Sequence, residues 1–148
     1  MAVVLGGDGI CLEYSKISRN IYGGIYIEGE NFCFPDREWA DLVYPVIDLW
    51  SDELVKAYRF GGELKLIFMD GSFAMFGNIK SGDLLLKCCS DPRDRCSECG
   101  EIGLPVRVFR DDLVGSLLIC ENIFLSNDDS ELGDKCRKQI IRLSDMKL

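Results

Sequence analysis

The sequence predicts an α+β fold. We expect an antiparallel sheet or sandwich of seven to eight short strands, packed by one long helix in the N-terminal half and one C-terminal helix. Short segments of alternating apolar and polar residues, separated by hairpin-type turns, indicate the strands. Two segments with apolar residues at helical spacing indicate the helices. Residues 1–148 are predicted to form one domain, because the length suits a single domain and no repeat or linker divides it.

The strands are predicted from short patterns along the chain. ICLEY near the N-terminus alternates like a half-buried strand, and residues 25–34, IYIEGENFCF, predict two arms that turn at Gly29. ELKLIF and SFAMF flank Asp70-Gly71, a hairpin signal because glycine readily takes the positive φ of such turns. LLLKCC, PVRVF and SLLICENIF predict further strands, while residues 90–104 are predicted to be a loop.

The long helix is predicted to begin near Asp36, a residue suited to capping a helix N-terminus. Its apolar stripe would consist of Trp39, Leu42, Val43, Val46, Ile47, Trp50 and Leu54. Pro45 would remove one helical hydrogen bond at a cost of about 3 kcal/mol, so we expect a kink there. The C-terminal helix lies in SNDDSELGDKCRKQIIRL, where early acids and late bases complement the helix dipole.

The charge balance points away from nucleic acid and from anionic membranes. The chain has 17 basic and 25 acidic residues, a formal charge of −8. Such a surface repels phosphates and attracts basic proteins, although solubility alone would also explain it. No apolar run has the roughly 20 residues of a membrane helix, and no signal-peptide pattern is visible, so we expect a cytoplasmic protein.

The chain contains no histidine, which removes the usual general base near neutral pH. Ser-His-Asp and Cys-His catalysis and histidine metal sites are therefore excluded. Gly6-Gly7-Asp8-Gly9 lacks the nucleotide-binding pattern. Paired carboxylates could hydrolyse glycosides, but 25 acids will place some pair at a suitable distance by chance. We predict no enzymatic activity and no cofactor.

Eight cysteines leave three interpretations open. Cys96 and Cys99 have the two-residue spacer that zinc favours, but a second such pair is missing. Cys88 and Cys89 are adjacent, so on a strand only one of them would readily join a site. A zinc site, a redox-active pair and incidental thiols remain possible, and we assign no metal ligands. A zinc-stabilised cytoplasmic adaptor is the alternative function that this region supports.

A longer pattern resembles a known family. IYIEGENFCFPDREWADLVYPVIDLW followed by LKLIFMDGSFAMF resembles the small immunity proteins of bacterial polymorphic-toxin and contact-dependent growth inhibition systems. The resemblance covers residues 25–76, about half of the chain. The matching residues are Phe34, Pro35, Trp39, Asp41, Trp50, Phe68, Asp70 and Gly71.

The resemblance implies a non-enzymatic inhibitor that binds the toxic C-terminal domain of a cognate effector and blocks its active site. Such toxins are often nucleases with basic grooves, which an acidic inhibitor suits electrostatically. We expect a monomer that forms a 1:1 complex with the toxin. The candidate binding residues are acids on the long helix (Asp41, Asp48, Asp52), in the predicted loop (Glu98, Glu101) and in a predicted turn (Asp111, Asp112).

Overall fold

A computed structural model describes residues 2–7, 10–94 and 98–148. It confirms the α+β class, with two antiparallel sheets and three helices in these ranges. The elements in chain order are β1 (Val3–Leu5), β2 (Glu13–Ser15), β3 (Asn20–Glu28), β4 (Cys33–Phe34), β5 (Ala40–Leu42), α1 (Val43–Phe60), β6 (Leu64–Ile67), β7 (Ala74–Lys80), β8 (Asp83–Cys89), β9 (Glu98–Pro105), α2 (Val106–Ser126) and α3 (Ser130–Ser144).

The first sheet is built around β3, which pairs antiparallel with β1, β2, β4 and β5. The two arms predicted in residues 25–34 are confirmed, because Ile27 of β3 lies opposite Phe34 of β4. The turn between them is closed by the Gly29 N–H, which donates to the Phe32 carbonyl at 2.8 Å.

The second sheet is a four-stranded meander in the order β6-β7-β8-β9. The Asp70-Gly71 turn is confirmed between β6 and β7, with Gly71 at φ 78°. The loop predicted for residues 90–104 is wrong in its second half, where β9 pairs with β8. Ile102 and Leu104 of β9 are buried while the residues between and beside them are exposed, the alternation of a strand with one covered face.

Helix α1 begins at Val43, so its N-cap is Leu42 and not the predicted Asp36. Asp36 caps no helix; its carboxylate accepts the Glu38 N–H in a local turn. Pro45 therefore lies in the first helical turn, where backbone N–H groups have no helical partner in any case. The predicted cost and kink at Pro45 are wrong for that reason.

Helix α2 replaces two predicted strands. One 21-residue helix contains SLLICENIF and all of PVRVF except Pro105, because apolar residues recur every three or four positions over its whole length. Its buried apolar face consists of Val106, Phe109, Leu113, Leu117, Cys120 and Phe124. The predicted C-terminal helix is confirmed as α3, capped by the Asp129 carboxylate, which accepts the Leu132 N–H. Within the described ranges, no helix is both long and apolar enough to cross a membrane.

A network of polar side chains joins the first sheet to the helices. The Arg19 guanidinium forms two hydrogen bonds with Asp129, at 2.7 and 2.9 Å, and the Tyr14 hydroxyl donates to the same carboxylate at 3.0 Å. The Arg19 hydrogen bonds hold the pKa of Asp129 well below its usual range. The β2–β3 turn is thereby fixed to the connection between α2 and α3.

Replacing Gly115 with alanine is expected to stabilise the protein. Gly115 lies inside α2 with a negative φ, and apart from its chain neighbours and the local helix backbone no atom lies within 4 Å of the position that an alanine methyl group would take. An alanine should raise the free energy of unfolding by about 0.5–1 kcal/mol, because glycine loses more backbone entropy in a helix. Urea unfolding followed by circular dichroism measures this change.

Gly77→Ala is the matched control. Its Cβ would lie 2.7 Å from the Leu85 carbonyl oxygen, so the same substitution should destabilise the sheet. A lower unfolding midpoint for Gly115→Ala than for the wild type would contradict the helical assignment of this segment.

Candidate protein-binding surface

The structure brings together two of the predicted acids on α1, Asp48 and Asp52. The Gln139 amide on α3 donates to both carboxylates, at 2.9 and 3.0 Å, and Arg142 forms an ion pair with Asp52 at 2.6 Å. Burial, followed by the neighbouring Asp52 carboxylate, raises the pKa of Asp48. These acids therefore already have partners in the contact between α1 and α3.

The surroundings of this pair contain cations as well as acids. An open cleft of about 210 Å³ is lined by Tyr44, Asp48, Asp52, Lys135, Lys138, Gln139 and Arg142. With three basic side chains beside two acids, the cleft has no excess of negative charge. The cleft therefore suits a basic partner less well than the acidic helix face that the sequence predicted.

Asp41 is not on the exposed face of a helix, so that part of the prediction is wrong. It lies in β5 and is only 5% exposed. Its carboxylate accepts the N–H of Leu42 at 2.7 Å and the N–H of Met69 at 2.9 Å. The side chain joins β5 to the residues that follow β6, which gives it a role in the fold.

Asp111 and Asp112 lie on α2 and not in a turn, which corrects the sequence prediction. Asp111 is exposed and pairs with Arg110 at 2.8 Å. Asp112 is half-buried and accepts the backbone N–H groups of Ala2 and Val3, so it fixes the start of β1 against the helix. Of this pair, Asp111 alone is open to solvent.

Glu98 and Glu101 lie on β9, which corrects their assignment to a loop. Both are exposed, and neither forms an ion pair with any residue in the described ranges. Lys87 is the residue directly opposite Glu101 on β8. Among the seven predicted acids, Glu98 and Glu101 are the two that lie exposed on a strand and form no ion pair with a described residue.

The sequence did not predict which backbone groups at the two edges of the second sheet have hydrogen-bond partners. At the β6 edge, the Glu53 carboxylate accepts the Lys65 N–H at 3.0 Å, and the Trp50 indole donates to the Ile67 carbonyl at 2.8 Å. Helix α1 therefore supplies hydrogen-bond partners to the outer side of β6. No sequence pattern indicates such contacts, because they depend on where the helix lies over the strand.

The β9 edge has no such partners among the described residues. The Val106 N–H donates to the Gly82 carbonyl at 2.9 Å, in register with the β8–β9 pairing. Because antiparallel residues alternate in the direction of their hydrogen bonds, the backbone groups of Glu101 and Gly103 point away from β8. We call these N–H and carbonyl groups the free edge of β9. The alternation of Ile102 and Leu104 was the sequence signal that this strand existed.

The thiols near β9 are the residues on which the zinc hypothesis depends. The Cys99 thiol donates to the Cys88 carbonyl at 3.5 Å, and burial raises the pKa of Cys88 to about 12. Cys96 lies outside the described residues. The residues that the structure does describe contain no group of three or more His, Cys, Asp or Glu side chains arranged to hold a metal.

Comparison with known proteins adds no relative to this picture: no family model, no curated protein and no solved structure matches the chain.

Asp41→Asn is expected to cost about 1–3 kcal/mol of unfolding free energy, because an amide has one oxygen for the two N–H groups that the carboxylate accepts. Asp52→Asn, which alters a half-exposed ion pair, should cost less than about 1 kcal/mol. Urea unfolding of the two variants measures the difference. Equal stabilities would contradict the structural role of Asp41.

Proposed function

We propose that this protein is a non-enzymatic immunity protein, which binds and neutralises the toxic C-terminal domain of a cognate contact-dependent growth inhibition effector. The main observation behind the proposal is that residues carrying the family resemblance pack against one another in the fold. Phe68 lies at the centre, with ring centroids 6.0 Å from Phe34, 6.2 Å from Trp39 and 5.2 Å from Trp50.

Asp41 and the turn residues of the pattern lie next to this aromatic cluster. The Asp41 carboxylate binds the N–H of Met69, the residue that follows Phe68 and precedes the Asp70-Gly71 turn. A set of residues spread over some 40 positions of sequence therefore serves one packing unit. This supports a resemblance based on a shared core and not on isolated matches.

The charge of the protein supports the type of partner. A net charge of −8 gives a field that attracts a basic protein over distances of about a Debye length. Glu98 and Glu101 add local acids that are exposed on a strand. In the proposed mechanism, the inhibitor works in the cytoplasm as a monomer and covers the basic active-site groove of one toxin molecule, so that the substrate cannot enter. No chemistry on the toxin is required.

Co-expression with the effector domain encoded immediately upstream tests this proposal. The domain alone should stop growth of the host cell, and co-expression of this protein should restore it. The two purified proteins should form a 1:1 complex, measured by size-exclusion chromatography with light scattering. If the domain is neither bound nor neutralised, the proposed function is wrong.

The association rate should depend strongly on salt. Raising NaCl from about 0.05 to 0.5 M should slow association about tenfold or more, while dissociation changes less, because screening acts mainly on the encounter. Stopped-flow fluorescence measures both rates. An association rate that does not change with salt would show that the acidic surface has no part in recruiting the toxin.

Two charge reversals locate this effect. Glu101→Lys should lower the association rate. Asp134→Lys is the control: it makes the same charge change on an exposed position of α3 and should lower the rate less. Similar losses in both variants would indicate that only net charge matters.

A further inference from the structure

We propose that the free edge of β9 is a docking site for an extended, basic segment of a partner protein, which adds to the second sheet as a fifth strand. The inference rests on the proposed function only in taking the toxin domain as the source of that segment. The edge itself is a property of this chain.

The free edge offers unpaired backbone groups that a strand can bind. Glu101 and Gly103 each direct one N–H and one carbonyl away from β8. Both residues are exposed, and no described residue forms a recorded hydrogen bond with these groups. Pro105 ends the ladder, since it has no N–H to donate. The geometry therefore defines a short edge with a fixed end.

The two edges of the second sheet differ in how many of their outward backbone groups are bound. The outward N–H of Lys65 and carbonyl of Ile67 are bound by Glu53 and Trp50 of α1. Exposed edges invite unwanted pairing, and proteins commonly cover or obstruct them. Here side chains of α1 bind two outward groups of β6, whereas the outward groups of Glu101 and Gly103 have no partner among the described residues.

The side chains around the edge indicate the chemistry of the added strand. Glu98 and Glu101 lie opposite Cys89 and Lys87 respectively, and residues directly opposite one another share a face of the sheet. A strand added at this edge would place its own side chains beside Glu101 on that face. Lys or Arg at those positions would provide the opposite charge. Gly103 has no side chain to obstruct a bulky neighbour.

A second copy of this chain fits the edge less well. Pairing two β9 strands edge to edge would bring the Glu98 and Glu101 carboxylates of both copies to one short interface. Like charges on neighbouring strands are destabilising. The acids therefore favour a basic partner over self-association.

Gly103→Pro tests the edge directly. Proline removes the outward N–H of Gly103, which β8 does not use, so the β8–β9 ladder keeps its bonds. Affinity for the upstream-encoded toxin domain should fall about tenfold, measured by biolayer interferometry. Gly103→Ala keeps the N–H, and its Cβ meets only the Leu85 side chain at 3.8 Å, so it should weaken binding less than proline does.

Amide hydrogen exchange supplies a second measurement that needs no variant. In the free protein, the amides of Glu101 and Gly103 should exchange faster than those of Ile102 and Leu104, and they should become protected in the complex. Slow exchange of Glu101 and Gly103 in the free protein would show that the edge is closed, which overturns the proposal. If Gly103→Pro does not fold, Glu101→Lys replaces it in the binding assay, with a loss of about tenfold or more expected.

A displayed library of ten-residue peptides provides a probe that does not depend on the toxin. Selection on the native chain should enrich sequences with alternating Lys or Arg, and these peptides should bind Gly103→Pro more weakly. Failure to enrich such peptides, or equal binding to Gly103→Pro, overturns the edge proposal. Dimers that form at high concentration and vanish in Gly103→Pro would identify a second copy as the occupant and overturn the basic partner.

The outcomes separate the two proposals. If the toxin domain is neutralised but binds Gly103→Pro as it binds the wild type, and the Glu101 and Gly103 amides stay unprotected, the proposed function stands and the edge proposal is wrong. If the toxin domain does not bind at all, the proposed function is wrong, and the peptide selection decides the edge proposal alone.

Discussion

Trp50 is the side chain on which the architecture depends most. Its ring is fully buried and packs on Phe68, directly after β6, and on Phe109 of α2, so it joins helix α1 to the second sheet and to α2. The same indole donates a hydrogen bond to the Ile67 carbonyl at the outer side of β6. Burying an aromatic ring of this size stabilises a fold by a few kcal/mol, and the hydrogen bond removes the cost of burying its N–H. Helix and sheet edge are thus positioned by one residue.

The acidic residues divide into those that complete the fold and those that remain available. Asp41, Asp112 and Glu53 bind backbone N–H groups, and Asp129 binds Arg19. Carboxylates in such positions contribute stability through charge-assisted hydrogen bonds. A net charge of −8 therefore overstates the charge that a partner would meet at any one surface. Glu98 and Glu101 on β9 are exposed and form no ion pair with any described residue, so their charges are available to a partner protein.

Local patterns predicted the hairpins well, while the helices needed longer windows. The 25–34 arms and the Asp70-Gly71 turn are confirmed because alternation and glycine turn chemistry act over a few residues. Val106 and Val108 alternate like a strand, yet the spacing that decides the structure of α2 extends to Phe124. Sequence alone predicts Asp41 and Asp112 as surface acids, because it does not show which backbone groups a fold leaves without partners. Sequence also does not predict that the outer side of β9 lacks hydrogen-bond partners, because this depends on where the other elements lie.

The binding of backbone groups on β6 by Glu53 and Trp50 has a consequence for stoichiometry. A sheet with two open edges can accept one strand and pass a new edge to the next molecule, which allows filaments to grow. Helix α1 binds the Lys65 N–H and the Ile67 carbonyl on the β6 side of the second sheet, so fewer outward backbone groups remain there for an added strand than on the β9 side. Once a strand is added to β9, the opposite margin of the meander offers a less complete set of backbone groups for a second one. Assembly through this sheet would therefore favour one guest per molecule over a growing chain of copies.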